Sequence, residues 1–179
     1  MLTRFIVPAF GFKTEQPVIF HNLDNTYSHL DLWKIGRATS AAPMYFPPYS
    51  ENILIDGGIL ENMPIITTAT MIRKHLQKDP VDIDVFVLGT GNTDVDMSKT
   101  VKEVRRYTTL QWAKKLLPII ATGGNVMMSG FWGRNIGFHY FDMFNPVIID
   151  SKFDDVSVVK SGKLEEKCDM YIGQFKKEW

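Results

Sequence analysis

Asp56 is the residue of this sequence best placed to do chemistry. It closes the short apolar run Ile53-Leu54-Ile55 and is followed at once by Gly57 and Gly58. Such a run reads as a buried strand, and in open α/β sheets ligands gather beyond the carboxyl ends of strands. Two residues without Cβ atoms let another backbone come close. A carboxylate in that position can take a proton from a nucleophile and orient it. The plainer reading is a turn, because aspartate side chains commonly bond to the backbone two residues on, and an isolated Asp-Gly-Gly is more often that.

The other groups that could react are less well placed. Ser40 lies in A-T-S-A-A, Ser129 in M-M-S-G-F and Ser161 in K-S-G-K, and none sits in the G-x-S-x-G turn that exposes a hydrolase nucleophile. His21, His29, His75 and His139 form no i, i+4 pair, so they read as surface or packing residues and no metal site is expected. Cys168 is the single cysteine and has neither a disulfide partner nor a second ligand near it in sequence. Gly89-Thr90-Gly91 suggests a nucleotide-binding turn, but the full G-x-G-x-x-G fails at Asp94.

Two softer features concern lipids. Met127, Met128, Phe131, Trp132 and Phe138 could line an acyl-chain groove or touch a membrane, although core packing is the commoner use of such residues. Lys114 and Lys115, with Arg105 and Arg106 about two turns earlier, could face anionic headgroups, but a solvated helix face explains them as well.

The elements that must position Asp56 follow from patterning. Residues 4–8 and 17–21 are short β-branched and aromatic runs separated by Gly11 and Pro17, which predicts a hairpin or bent ribbon. Leu30, Trp33 and Ile35 predict a helix over 30–38 that ends before Pro43 and the Pro47-Pro48 pair. After the Asp56 strand, Asn62 is the expected cap of a helix with Pro64 in its first turn, running to about residue 77.

Residues 83–88 are too continuously apolar for a one-sided sheet and predict a central parallel strand. Trp112, Leu116 and Ile119 predict a helix within 97–120 that stops at Gly123 and Gly124. Residues 138–141 and 147–149 are expected as late strands, and 154–177 as a closing amphipathic helix. Strands alternating with helices imply an α/β layered fold.

Composition narrows the functional classes. The chain has 179 residues, 45% hydrophobic and 22% charged, so it can bury a core of ordinary size. Lys plus Arg equals Asp plus Glu, 20 each, and no basic stripe is present, which argues against a nucleic-acid partner. No apolar run approaches the roughly 18 residues that span a bilayer, and Pro8 and Gly11 interrupt the first residues where a secretory signal would need a long apolar stretch. A protein acting on lipids would then meet them from water, in the cytoplasm or outside the cell, as a peripheral visitor to membranes.

The neighbourhood of Asp56 decides between site and turn. Residues 37–64, RATSAAPMYFPPYSENILIDGGILENMP, resemble the patatin-like phospholipase family, in which a segment close to A-T-S-A-A-P-x-Y-F-P-P precedes a strand ending in D-G-G and then an N-x-P-like helix start. The matching positions here are Ala38 to Pro48, including Ala41 and Pro43, then Asp56, Gly57 and Gly58, then Asn62 and Pro64. IVPAFGFKTEQPVIF (6–20) is similar to the family's ribbon, and VFVLGTG (85–91) to its strand ending L-G-T-G; the tail agrees only in layout.

The resemblance implies the C-terminal part of a three-layer α/β/α sandwich with a mostly parallel sheet. It treats residues 1–179 as part of one domain, with the motif core at 6–91 and a helical closing segment at 92–179. It makes Asp56 the acid of a serine–aspartate dyad that cleaves lipid acyl esters without a metal or organic cofactor. A dyad without histidine needs an aspartate more basic than usual, which burial among Ile53, Leu54, Ile55 and Ile59 would favour. The family's serine elbow and glycine-rich oxyanion loop both lie upstream of the position of Met1. The chain is therefore expected to be inactive alone and to need that missing half. The alternative is a catalytically silent lipid-binding or regulatory remnant of the same fold.

Overall fold

The structure, a computed structural model, describes residues 3–43, 45–50, 53–93, 105–118, 125–145, 147–148 and 169. The expected closing helix at 154–177, Cys168, Ser161 and Gly123-Gly124 lie outside them. The fold is mixed α/β, in two compact units: Met1–Val87 with Arg106–Met143, and Leu88–Arg105 with Phe144–Trp179.

The first unit opens with the expected hairpin. Strands β1 (Ile6–Gly11) and β2 (Gln16–His21) pair antiparallel, Ile6 opposite His21 and Gly11 opposite Gln16. Helix α1 (Leu32–Thr39) follows, and strand β3 (Leu54–Asp56) then pairs antiparallel with the other edge of β1, giving the order β2-β1-β3. Ile53 was expected within the strand but has φ +50°, a costly conformation for a β-branched residue, and the strand begins one residue later.

One core cluster unites these pieces. Ala9, Phe20, Ile35, Ala38 and Leu54 are buried together, with Phe5, Val7, Val18, Tyr27, Leu30 and Tyr49 packed around them. Each large aliphatic or aromatic side chain removed from water there contributes about 1.5–3 kcal/mol. That cluster holds the face of α1 bearing Ile35 and Ala38 against the sheet that carries Asp56.

After β3 the chain makes a short helix, α2 (Gly58–Glu61), and then α3 (Ile65–Leu76). Asn62 does not cap α3, contrary to expectation; it ends α2. The cap is Glu61, whose two carboxylate oxygens accept the N–H groups of Ile66 at 2.9 Å and Thr67 at 3.2 Å. A carboxylate satisfies two orphan donors and suits the positive end of the helix dipole, which the Asn62 amide would do less well. Pro64 stands just before the first helical residue, and Gln77 ends the helix in a left-handed conformation.

A second cluster in the same unit joins Met63, Ile65 and Val126 to Val87, Phe138, Phe141 and Met143. Helix α4 (Thr109–Pro118) confirms a helix within 97–120, but Trp112 and Leu116 are exposed. Helix α5 (Asn125–Asn135) buries Val126, Ser129, Gly130 and Gly133, and at Gly133 an added Cβ would run into the Phe141 ring. The Ser129 hydroxyl donates to the Met63 carbonyl at 2.9 Å, from a position only 3% exposed. Ser129→Ala should lower unfolding free energy by about 1 kcal/mol, because the Ile65 N–H still reaches that carbonyl. An unchanged urea midpoint would show that the hydroxyl contributes nothing.

Strand β4 (Asp84–Leu88) pairs with a strand at Tyr140–Phe144. His139 N–H donates to Ile83 O, and Gly89 N–H to Phe144 O, so the two run the same way. The expectation of continuous burial for 83–88 is not met: Phe86 is 50% and Leu88 71% exposed. In the second unit, strand β5 (Asn92–Thr93) pairs parallel with a strand at Val147–Ile148. With Tyr140–Phe144 as β6 and Val147–Ile148 as β7, the described sheets are therefore one antiparallel and two short parallel ones, where a mostly parallel sheet was expected.

Candidate functional site

Asp56 is the last residue of β3, opposite Ala9 of β1. The ladder stops there because the next position on β1 is Pro8, which has no N–H to give. The Pro8 carbonyl is taken instead by the Thr39 hydroxyl at 2.6 Å. Gly57 lies directly against Pro8, so close that any Cβ would overlap the carbonyl. Its φ of −68° is open to every residue, so it is proximity and not backbone conformation that requires glycine.

The A-T-S-A-A-P segment forms the other wall. Asp56 N–H donates to Ala41 O at 3.1 Å, and Gly57 N–H to Thr39 O at 3.4 Å. Ala41 is fully buried, which leaves no room for a larger side chain where the segment leaves α1. Pro43 follows in a turn closed by the N–H groups of Tyr45 and Phe46 on Ala42 O. Arg37 extends along this loop, donating to Pro47 O at 3.2 Å and stacking over the Phe46 ring.

The Asp56 side chain is half-buried, and Gly58 N–H donates to its Oδ1 at 2.6 Å. The turn anticipated for Asp-Gly-Gly is thus present. It also fixes the carboxylate rotamer at the strand's end, which is what a positioned acid or base requires. Asn62 Oδ1 lies near Gly58, about where a Cβ on that glycine would point, so Asp56, Gly57, Gly58 and Asn62 are one local assembly. Pro64 belongs to the start of α3, a turn further on.

The remaining candidates divide. Ser129 is buried and bonded to Met63, and Ser40 is exposed at the end of α1. The Gly89-Thr90-Gly91 turn is tied down by Asn145, whose Oδ1 accepts Gly91 N–H at 2.9 Å, so that amide is not turned to a phosphate. Met127, Met128, Phe131 and Trp132 are 43–75% exposed on α5, whereas Phe138 joins the core; packing explains only the last. Arg105 and Arg106 are exposed, and the Lys114 and Lys115 side chains lie outside the described residues.

The histidines depart from their reading as scattered residues. His21 ends β2, His75 lies in the last turn of α3, and both approach Asp24. Fifty-odd residues of sequence hid a juxtaposition that only folding creates.

Residues 3–69 match the family model "Patatin-like phospholipase", which relates this chain to that family through the stretch containing the hairpin, the A-T-S-A-A-P segment and Asp56-Gly57-Gly58. Among curated proteins it is 31% identical over 138 residues to Patatin-17 of Solanum cardiophyllum, covering 62% of this chain and 36% of that protein. It is 32% identical over 148 residues to Patatin-like protein 1 of Oryza sativa subsp. indica, with coverages of 66% and 36%. It is 33% identical over 135 residues to Patatin-like protein 4 of Arabidopsis thaliana, with coverages of 63% and 33%. The chain spans about a third of the length of these relatives. Among the described residues, no helix is long and apolar enough to cross a membrane.

Proposed function

We propose that this chain supplies the acidic half of a serine–aspartate dyad in a lipid acyl hydrolase, of the phospholipase A or lysophospholipase and esterase type. The observation that carries the reading is the Asp56 carboxylate, held at the end of β3 through Oδ1 by Gly58 N–H. Its second oxygen is the one to meet a nucleophile.

The chemistry then runs in two steps. Asp56 takes the proton of a serine hydroxyl as the serine oxygen bonds to the ester carbonyl carbon, and the proton passes to the departing alcohol as the ester bond breaks. Water, deprotonated by the same carboxylate, then releases the fatty acid and restores the serine. The sequence contains no G-x-S-x-G, so the serine and its oxyanion donors come from polypeptide outside these residues, which would complete the three-layer sandwich and cover the exposed face of β4 bearing Phe86 and Leu88.

The test is complementation. Alone, the chain should leave p-nitrophenyl esters and phospholipids uncleaved; joined to a patatin-type segment bearing the serine elbow, it should hydrolyse them. Turnover by the chain alone would overturn the division of labour. A second reading, a silent lipid-binding remnant, draws on the exposed Met127, Met128, Phe131 and Trp132. Vesicle binding without turnover in the complemented protein would favour it.

A further inference from the structure

We propose that His21, Asp24 and His75 form a binding site for a divalent cation of the zinc class. One ligand atom from each residue lies within 4.8 Å of the others. His21 Nδ1 is 3.9 Å from Asp24 Oδ1, and His75 Nδ1 is 3.5 Å from Asp24 Oδ2, so both imidazoles turn the same nitrogen toward one carboxylate. The rings are 5.0 Å apart and inclined at 49°, so they lie side by side without stacking.

Two imidazole nitrogens and one carboxylate oxygen are the donor set of a three-ligand zinc site that keeps a fourth position for water. Zinc sits about 2.0–2.2 Å from such atoms, so the ligands must draw together slightly. The exposed Asp24 can make that movement. The two histidines are held by the fold: His21 is 7% exposed and packs edge-on to Tyr27, and the His75 side chain is 15% exposed.

Hydrogen bonding within the fold does not account for this arrangement. His75 Nε2 is buried with no partner. Its Nδ1 meets the carboxylate at 3.5 Å, long for a hydrogen bond, and His21 Nδ1 accepts only the Leu23 N–H at 3.3 Å. A cation shared by the carboxylate and the two Nδ1 atoms gives these loosely engaged nitrogens a partner; the buried His75 Nε2, on the other side of its ring, is not part of the site. Thr26 N–H donates to Asp24 Oδ1 at 2.8 Å, which orients the carboxylate with Oδ2 toward His75.

A bound cation would clamp the end of β2 to the last turn of α3.

The test is titration of the tag-free chain with Co²⁺ as a spectroscopic probe, followed by displacement with Zn²⁺. One equivalent should bind, giving the intense visible bands of a four-coordinate site, and Zn²⁺ should abolish them. Asp24→Asn keeps an oxygen for the Thr26 N–H and is exposed, so it should leave the fold intact while weakening the metal at least about tenfold. His75→Gln should do the same, and His139→Ala, at an exposed histidine elsewhere, should change nothing. Absence of saturable binding, or equal binding by wild type and Asp24→Asn, would overturn the proposal and leave a simple carboxylate–imidazole cluster.

Discussion

Asp56→Asn should lower kcat/KM for acyl-ester hydrolysis by about 1,000-fold in the complemented protein, within the range typical of losing a positioned acid–base group. The substitution is nearly isosteric, and the asparagine carbonyl oxygen still accepts the Gly58 N–H that now meets Oδ1 at 2.6 Å. The turn, the β3 ladder and the bond from residue 56 N–H to Ala41 O should therefore survive. What disappears is the ability to take a proton. The loss should fall on kcat with KM nearly constant, since the carboxylate acts on the nucleophile and not on the lipid tail. Activity close to wild type, with an unchanged melting curve, would remove Asp56 from the chemistry.

Gly57→Ala should be the most damaging single methyl addition near the site. The added carbon would overlap the Pro8 carbonyl, which is backbone in the middle strand of the sheet and cannot swing aside as a side chain could. Overpacking of this kind costs about 1–3 kcal/mol and occasionally more. Relief requires β3 and β1 to separate at the end where Asp56 sits, so activity should fall together with stability. Urea denaturation reads the first and ester hydrolysis the second. A wild-type urea midpoint for Gly57→Ala would mean that the glycine is dispensable and the strand end freely adjustable.

The parts of the fold legible in sequence were those in which one local signal dominates. The hairpin was readable from two β-branched runs around Gly11, and α1 from an apolar stripe ending before prolines. The end of α3 fell at residue 77 as the periodicity indicated. The place of Asp56 at a strand end was readable because strand, carboxylate and double glycine are consecutive, and the A-T-S-A-A-P segment added a second stretch that the fold sets beside it through Ala41 and Thr39.

Elsewhere the usual signals pointed the wrong way or were absent. Helix α5 has a regular buried stripe at 126, 129, 130 and 133, but only Val126 is a large apolar residue; the others are Ser129, Gly130 and Gly133. Its conspicuous side chains, Met127, Met128, Phe131 and Trp132, are on the exposed side. Hydrophobicity therefore marks the wrong face. The apolar run at 83–88 suggested burial on both sides, yet Phe86 and Leu88 are open. Glu61 displaced Asn62 as the cap because α2 folds the carboxylate back over the start of α3, a turn the sequence did not announce. The His21–Asp24–His75 cluster depends on docking α3 beside the end of β2, which no spacing rule anticipates.

The most direct measurement is the distance between Asp56 and the serine it is said to serve, in a crystal structure of the chain joined to the serine-bearing segment. The account predicts an Asp56 carboxylate oxygen about 2.6–3.2 Å from the serine hydroxyl, with Gly58 N–H still on the other oxygen. A serine bonded to a different base, with Asp56 beyond the reach of a single bridging water, would contradict it.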